Sequence, residues 1–345
     1  MAIHKVAVLT GGGDCPGLNA VLRAIVRRGA DRNLEIMGIR DGWEGLIADR
    51  HERLNRARVA GILHLGGTIL GTSRLNPFAV EDGPERVVRT LERHNVDAVI
   101  AIGGEGTLSI AREMHERGVK VVGVPKTIDN DLGCTDFTFG FDTAVSIATD
   151  AIDRLHSTAE SHQRCMVVEV MGRHVGWIAA YAGLAGGADV VLVPERPVHI
   201  DDVVAHVESR RRAGRRFSII VCAEGAVVDL GEGAKVVASG YDAWGHMKLG
   251  GIGARVTDAV EARTGIETRL TVLGYVQRGG SPTAYDRILA TRYGVAAADL
   301  VADGRWGMMA ALQGTNIVAV PLSDATKGLK TLDPSFYDLA SLFFG

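Results

Sequence analysis

Lysine is scarce in this chain, supplying seven of the 38 basic residues against 31 arginines. Basic and acidic residues nearly balance at a formal net charge of −3, so no global positive field favours nucleic acid or an anionic membrane. Cysteine is scarce too. Cys15, Cys134, Cys165 and Cys222 show no CxxC or zinc-ligand spacing, which argues against a disulfide framework and a thiolate metal site. The first apolar run, Val6 to Leu9, is too short for a signal-peptide core or a membrane span. No short-period repeat, proline-rich linker or low-complexity tract interrupts the sequence. The expectation is a cytoplasmic protein with neither nucleic acid nor membrane as a partner.

What the chain does have is core and glycine. Its 345 residues are 46% hydrophobic, enough for a large core and for two lobes. Many of the 44 glycines stand at strand-to-helix turns, where backbone approaches a ligand closely. Apolar runs such as Val6–Leu9, Ile36–Ile39, Ala98–Ile102, Val121–Val124, Met166–Val170, Val190–Val193, Ile219–Cys222 and Thr271–Leu273 alternate with amphipathic stretches of helical length. Runs buried on both faces and separated by helices predict an α/β protein: two lobes with mostly parallel sheets flanked by helices.

Chemistry concentrates where strands end. Pro125-Lys126-Thr127-Ile128-Asp129-Asn130-Asp131 follows the run Val119 to Val124 and places an ammonium, a hydroxyl and two carboxylates within six residues. Asp129 suits proton removal from an alcohol, Asp131 the placing of metal or water, and Thr127 a phosphate or hydroxyl. Structural capping explains one Asp but not the set. Upstream, Gly103-Gly104-Glu105-Gly106-Thr107 offers backbone amides for phosphate and Glu105 for Mg²⁺; the plainer alternative is a tight turn with Thr107 as a helix cap. The first loop, Gly11-Gly12-Gly13-Asp14-Cys15-Pro16-Gly17, lets N–H groups face an anion at a helix start. It fits neither a dinucleotide fingerprint, since Pro16 breaks GxGxxG, nor a Walker A loop, since Leu18 and Asn19 follow Gly17. That weakens a dehydrogenase reading.

Further along, Met171-Gly172-Arg173 leaves a strand with Arg173 suited to developing phosphoryl charge, and Arg164 is a second candidate. Glu224 suits a sugar hydroxyl, while Arg269 and Arg278 suit forked contacts to a sugar phosphate. His174 fits a structural or supporting place better than a ligand. The cluster Arg210, Arg211, Arg212, Arg215 and Arg216 reads as a solvated helix end, with an effector site as the alternative.

Taken together these loops resemble the 6-phosphofructokinase family from residue 3 to about 295. The most specific parts are Gly-Gly-Asp-Cys-Pro-Gly-Leu-Asn, Pro-Lys-Thr-Ile-Asp-Asn-Asp, Ser161 to Arg173, and Leu-Gly-Tyr-Val-Gln-Arg-Gly-Gly-Ser-Pro. The resemblance implies phosphoryl transfer from Mg²⁺-ATP to the 1-hydroxyl of fructose 6-phosphate, in a cleft between two lobes. It implies a nucleotide-binding lobe of residues 1–138 plus about 250–300, and a sugar-phosphate lobe of about 139–249 plus 301–345.

By the same resemblance Asp129 is the base, with Thr127, Asp131 and Arg173 also catalytic, and Glu105 takes the Mg²⁺ position. Gly12, Gly13, Arg74, Leu75, Gly104, Glu105, Gly106 and Thr107 contact the nucleotide. Thr127, Asp129, Met171, Gly172, Arg173, Glu224, Tyr275 and Arg278 surround the sugar phosphate, Tyr275 standing where bacterial ATP enzymes usually have His. Arg164 and Arg269 reach a neighbouring subunit's site, which implies a homotetramer or homodimer with shared active sites. Donor choice falls on Gly106, as in ATP users, and Lys126, as in pyrophosphate users. ATP is the expected donor because Gly106 leaves the α-phosphate's path open; pyrophosphate is the runner-up, and a non-catalytic regulatory subunit the alternative of another class. Arg23, Arg27 and Arg56 match the family's effector-site arginines, whereas His156 and Asp189 depart from its pattern there.

Overall fold

A computed structural model describes residues 3–231, 234–235, 238–241 and 247–344. The chain divides into two compact units, Met1–Thr143 with Arg278–Leu329, and Ala144–Gln277 with Lys330–Gly345. No helix among the described residues is long and apolar enough to cross a membrane.

The first unit is built on a sheet whose strands run in the order Asn316–Pro321, Met308–Gln313, Val121–Thr127, Ala98–Gly103, Lys5–Thr10, Glu35–Ile39, His51–Leu54. The two outermost strands are antiparallel to their neighbours and the rest are parallel. The central strands are apolar on both faces because helices cover both; every residue of Ala98–Gly103 and Val121–Thr127 is buried. From Lys5–Thr10 the chain pairs first with Glu35–Ile39 on one side, then with Ala98–Gly103 on the other. This reversal makes the carboxyl ends of Lys5–Thr10 and Ala98–Gly103 a topological switch point, the usual place for a ligand in such sheets.

The second unit holds a wholly parallel sheet in the order Thr268–Val272, Cys165–Val170, Ser218–Ala223, Val190–Leu192. The chain's last stretch is bound to this unit: Phe336 stacks on Tyr181 at 4.5 Å and the Tyr337 hydroxyl donates to Val191 O at 2.9 Å.

The lobe boundaries need correction. Residues 250–277, expected in the first lobe, belong to the second unit, because Thr268–Val272 pairs with Cys165–Val170 and Ile252–Thr264 packs beside it. Residues 301–329, expected in the second, belong to the first, where Met308–Gln313 pairs with Val121–Thr127. The strand that carries the Lys126 motif is also longer than its apolar run, and Pro125, Lys126 and Thr127 are its last residues.

Two helix starts in the first unit, Phe141–His162 and Ala284–Ala302, cap each other. Thr283 accepts the Asp286 N–H at 3.3 Å and donates to Asp142 at 2.6 Å. Asp286, fully buried, accepts the Thr143 N–H and hydroxyl at 2.8 and 2.5 Å. Burial outweighs these hydrogen bonds and pushes the Asp286 carboxyl up to about 6. The folded state therefore holds this proton more tightly than the unfolded chain does. Its stabilisation is complete below about pH 4 and is lost as pH rises through about 6, on the order of 3 kcal/mol in all. Denaturant midpoints of the wild type and Asp286→Asn, compared at pH 4.5 and 7.5, should show the wild type losing about 2 kcal/mol relative to the variant. A pH-independent difference would refute the assignment.

Candidate active site

At the switch point of the first unit two glycine loops close over one threonine. Gly11 N–H donates to Ile102 O at 2.9 Å, tying the loop after Lys5–Thr10 to the strand Ala98–Gly103. Thr107 is buried beneath both loops, and a Cβ added at Gly11 or Gly103 would lie 2.6 or 2.3 Å from Thr107 side-chain atoms. Only glycine fits at these two places. Thr107 is thus a packing post and not the helix cap, since helix Glu105–Glu116 starts from Gly104 with no side-chain cap. The loop Gly12–Asp14 is fastened further by Gly12 N–H to Ser73 O at 3.0 Å and the Thr72 hydroxyl to Gly12 O at 2.6 Å. Arg74 and Leu75 follow directly, Arg74 exposed and Leu75 half-buried.

Glu105 and Gly106 are exposed in the first turn of that helix, where amide N–H groups and the helix dipole favour anions. Nothing lies within 4 Å of where a Gly106 Cβ would stand. The Glu105 carboxylate accepts the Ser109 hydroxyl at 2.8 Å and keeps further acceptor capacity, as a hard cation's ligand must.

Next to these loops, Lys126 buries its ammonium, which donates to Gly13 O. Desolvation is the main influence on it and lowers its pKa. Thr127 accepts the Asp129 N–H at 3.0 Å, fixing the turn that aims the Asp129 side chain. Asn130 adopts φ +53° and accepts the Thr138 N–H at 3.1 Å, so it is a framework residue. Asp129 is 4% exposed; its Oδ2 meets the Thr127 hydroxyl at 3.4 Å, whereas its Oδ1 is buried with no hydrogen-bond partner among the described residues. Such an orphan oxygen costs about 1–3 kcal/mol or more and points to a ligand that satisfies it. Asp131 is half-buried beyond it. Arg278, a residue of this unit, packs its guanidinium on Gly13 and donates to Asp14 O at 3.2 Å. The Glu105 carboxylate is a hard oxygen donor of the kind Mg²⁺ takes.

The second unit assembles Met171, Gly172, Arg173, Glu224 and Gln277 beyond the carboxyl ends of its strands. Met171 N–H donates to Gln277 Oε1 at 2.8 Å and Arg173 N–H to Glu224 Oε1 at 3.0 Å. Gly172 takes φ +152°, and a Cβ there would lie 2.5 Å from Val175 O. Glu224, expected to meet a sugar hydroxyl, uses one oxygen to hold this loop. Gln277 was missed as a positioning residue; its place inside Leu-Gly-Tyr-Val-Gln-Arg was the available signal. Tyr275 stands 77% exposed two residues away.

Arg164 and Arg269 sit at the opposite, amino end of this sheet. Both pair with Glu267, Arg164 at 2.7 Å, and the Arg164 interaction chiefly holds that carboxyl below its ordinary range. The strand Cys165–Val170 separates Arg164 from Met171 by roughly 20 Å. Elsewhere in the unit Asp189 binds Arg210 at 2.9 Å and the Ile219 N–H at 2.8 Å, and His156 Nε2 lies 2.6 Å from Gly186 O. Arg210 is therefore no solvated helix end, although Arg211, Arg212, Arg215 and Arg216 beside it are exposed. Arg56, in the first unit, pairs with Asp31 at 2.6 Å.

Comparison with known proteins gives these loops a context. The phosphofructokinase family model matches residues 5–301. A pyrophosphate–fructose 6-phosphate 1-phosphotransferase of Amycolatopsis mediterranei is 57% identical over 99% of this chain and all of its own length. An ATP-dependent 6-phosphofructokinase of Streptomyces coelicolor is 52% identical over 96% of this chain and 98% of that protein. Among solved structures, phosphofructokinase from Saccharomyces cerevisiae superposes with a TM-score of 0.82 at 32% identity, covering 94% of this chain and 45% of that one. The chain belongs to the phosphofructokinase family.

Proposed function

We propose that this protein is a 6-phosphofructokinase that transfers the terminal phosphoryl group of ATP to the 1-hydroxyl of fructose 6-phosphate. The products are fructose 1,6-bisphosphate and ADP. The observation that carries the reading is the orphan Asp129 Oδ1, buried beside Thr127 on the strand end that also meets the glycine loops. A buried carboxylate oxygen without a partner is placed to accept a ligand hydroxyl's hydrogen bond and, during transfer, its proton.

In this reading Asp129 accepts the proton of the attacking hydroxyl as the new oxygen–phosphorus bond forms and the bond to the leaving phosphate breaks. Lys126 keeps the Gly13 backbone in place beside the transferred group. Gly12, Gly13, Arg74, Leu75 and the Gly104–Thr107 turn hold the nucleotide. Glu105 would hold Mg²⁺, which neutralises phosphate charge when bound. Met171, Gly172, Arg173, Glu224, Tyr275 and Arg278 bind the sugar phosphate. The acceptor assignment rests on the family, and the ATP assignment on the open space at Gly106. A second reading, pyrophosphate as donor, is favoured by the name of the relative at 57% identity and by Lys126. The proposal extends to a homo-oligomer, with Arg164 and Arg269 serving the sugar phosphate of a neighbouring subunit. Their position, a strand's length from Met171, supports it.

Asp129→Asn should lower kcat by roughly 10²–10⁴ with little change in fructose 6-phosphate binding. Near-normal turnover in that variant would remove Asp129 from the chemistry.

Donor choice is read from steady-state assays with ATP or pyrophosphate at saturating fructose 6-phosphate. ATP should support turnover, pyrophosphate little or none, and Gly106→Asp should nearly abolish ATP use by adding bulk and like charge. A wild type that prefers pyrophosphate, or full ATP activity in Gly106→Asp, would defeat the steric argument.

Mixing inactive Arg164→Ala with inactive Asp129→Asn protein, under conditions that exchange subunits, should restore part of the activity through hybrid sites. No recovery, with exchange verified independently, would mean each chain completes its own site.

A further inference from the structure

Away from the glycine loops, in the first unit, three side chains from separate elements meet around one point. Asp49 lies in the turn after helix Gly42–Ile47, His51 opens the edge strand His51–Leu54, and His94 ends helix Gly83–Arg93. Asp49 Oδ1 is 2.7 Å from His94 Nε2 and 3.6 Å from His51 Nε2, and one donor atom of each residue lies within 4.8 Å of the other two. The two imidazole rings meet edge to face with centroids 4.3 Å apart. The reaction has no use for this cluster, and its histidines are distant in sequence.

We propose that Asp49, His51 and His94 form a binding site for a divalent transition-metal ion of the zinc class. Bond lengths of about 2.0–2.2 Å to imidazole nitrogen and carboxylate oxygen put neighbouring tetrahedral donors roughly 3.3 Å apart. The two separations from Oδ1 bracket that value, so small side-chain shifts bring each imidazole nitrogen to bonding distance of an ion that Oδ1 also holds. Three protein donors leave a fourth position for water, which the exposure supports: the side chains are 28%, 32% and 23% accessible. Arg93 grips the other carboxylate oxygen at 2.7 Å, orienting Asp49 so that Oδ1 faces both rings. Two nitrogens among three donors select zinc, nickel or copper over Mg²⁺, which prefers an all-oxygen shell. The site is thereby chemically distinct from the lone carboxylate at Glu105. A bound ion would clip the sheet's exposed edge strand to a neighbouring helix.

The test counts zinc on metal-stripped full-length protein, with a chromophoric chelator as competitor, in the wild type, His94→Ala and Asp49→Asn. The other histidines remain in each variant, so only this site changes. The wild type should bind one equivalent more than His94→Ala. Its Tm should rise by roughly 3–6 °C at zinc 100-fold above Kd, a rise absent in both variants. Cobalt in place of zinc should give visible absorption in the wild type that His94→Ala lacks. His94→Ala should retain Mg²⁺-supported turnover, which shows that the variant is folded. Equal zinc counts in wild type and variants, or an unchanged Tm, would overturn the proposal and leave the cluster as an ion-pair network.

Discussion

The burial of one ammonium group constrains the whole carboxyl edge of the first sheet. Lys126 sits on a strand with neighbours on both sides, and its charge has left bulk water at considerable cost. The Gly13 carbonyl is its hydrogen-bond partner, and that bond is possible only if the first glycine loop folds back over the strand end. The loop is held in turn by Ser73 and Thr72, so a segment far upstream is bound to the same point. Asp129 follows three residues after Lys126, in a turn fixed by Thr127. The glycine-loop backbone and the candidate base are therefore placed by one contact. Arg278 presses a second cation against the same loop, and the two positive charges together make it a better seat for phosphate than glycine alone provides.

A second constraint is steric. Thr107 fills the gap between two strand ends that must approach closely, and it does so because Gly11 and Gly103 lack side chains. Trp43 adds a hydrogen bond from its indole N–H to Thr107 O at 3.3 Å. The start of helix Glu105–Glu116 is thereby anchored from below while Glu105 and Gly106 remain open to solvent. Rigidity beneath and access above is the combination a preorganised phosphate site needs.

Much of this was legible because burial on both faces writes itself as apolar runs. Ala98–Gly103, Cys165–Val170 and Ser218–Ala223 all stood out. The edge strand His51–Leu54 did not, since its first three residues are not buried and its pattern is polar. Lys126 and Thr127 read as loop because a cation and a hydroxyl do not announce a strand. The exchange of 250–277 and 301–329 between units was hidden for a different reason: it depends on which strand pairs with which, and pairing of strands far apart in sequence leaves no local trace. The motif residues were legible as chemistry, yet their partners were not. Gln277 under Met171, Thr143 on Asp286 and His94 on Asp49 are all long-range contacts.

The same contact explains why lysine alone does not choose the donor. On the proposed reading the Lys126 ammonium stands next to whichever polyphosphate occupies the glycine loops, but it is already committed to Gly13 O and nearly inaccessible. Its gain from a further phosphate oxygen is similar for ATP and pyrophosphate, because both present a terminal phosphate there. The two donors share their last two phosphates and differ only beyond these, where ATP continues into an α-phosphate and a nucleoside. Gly106 lies exposed at the helix start with empty space around it. On the proposed reading, discrimination falls on a position defined by the side chain it lacks.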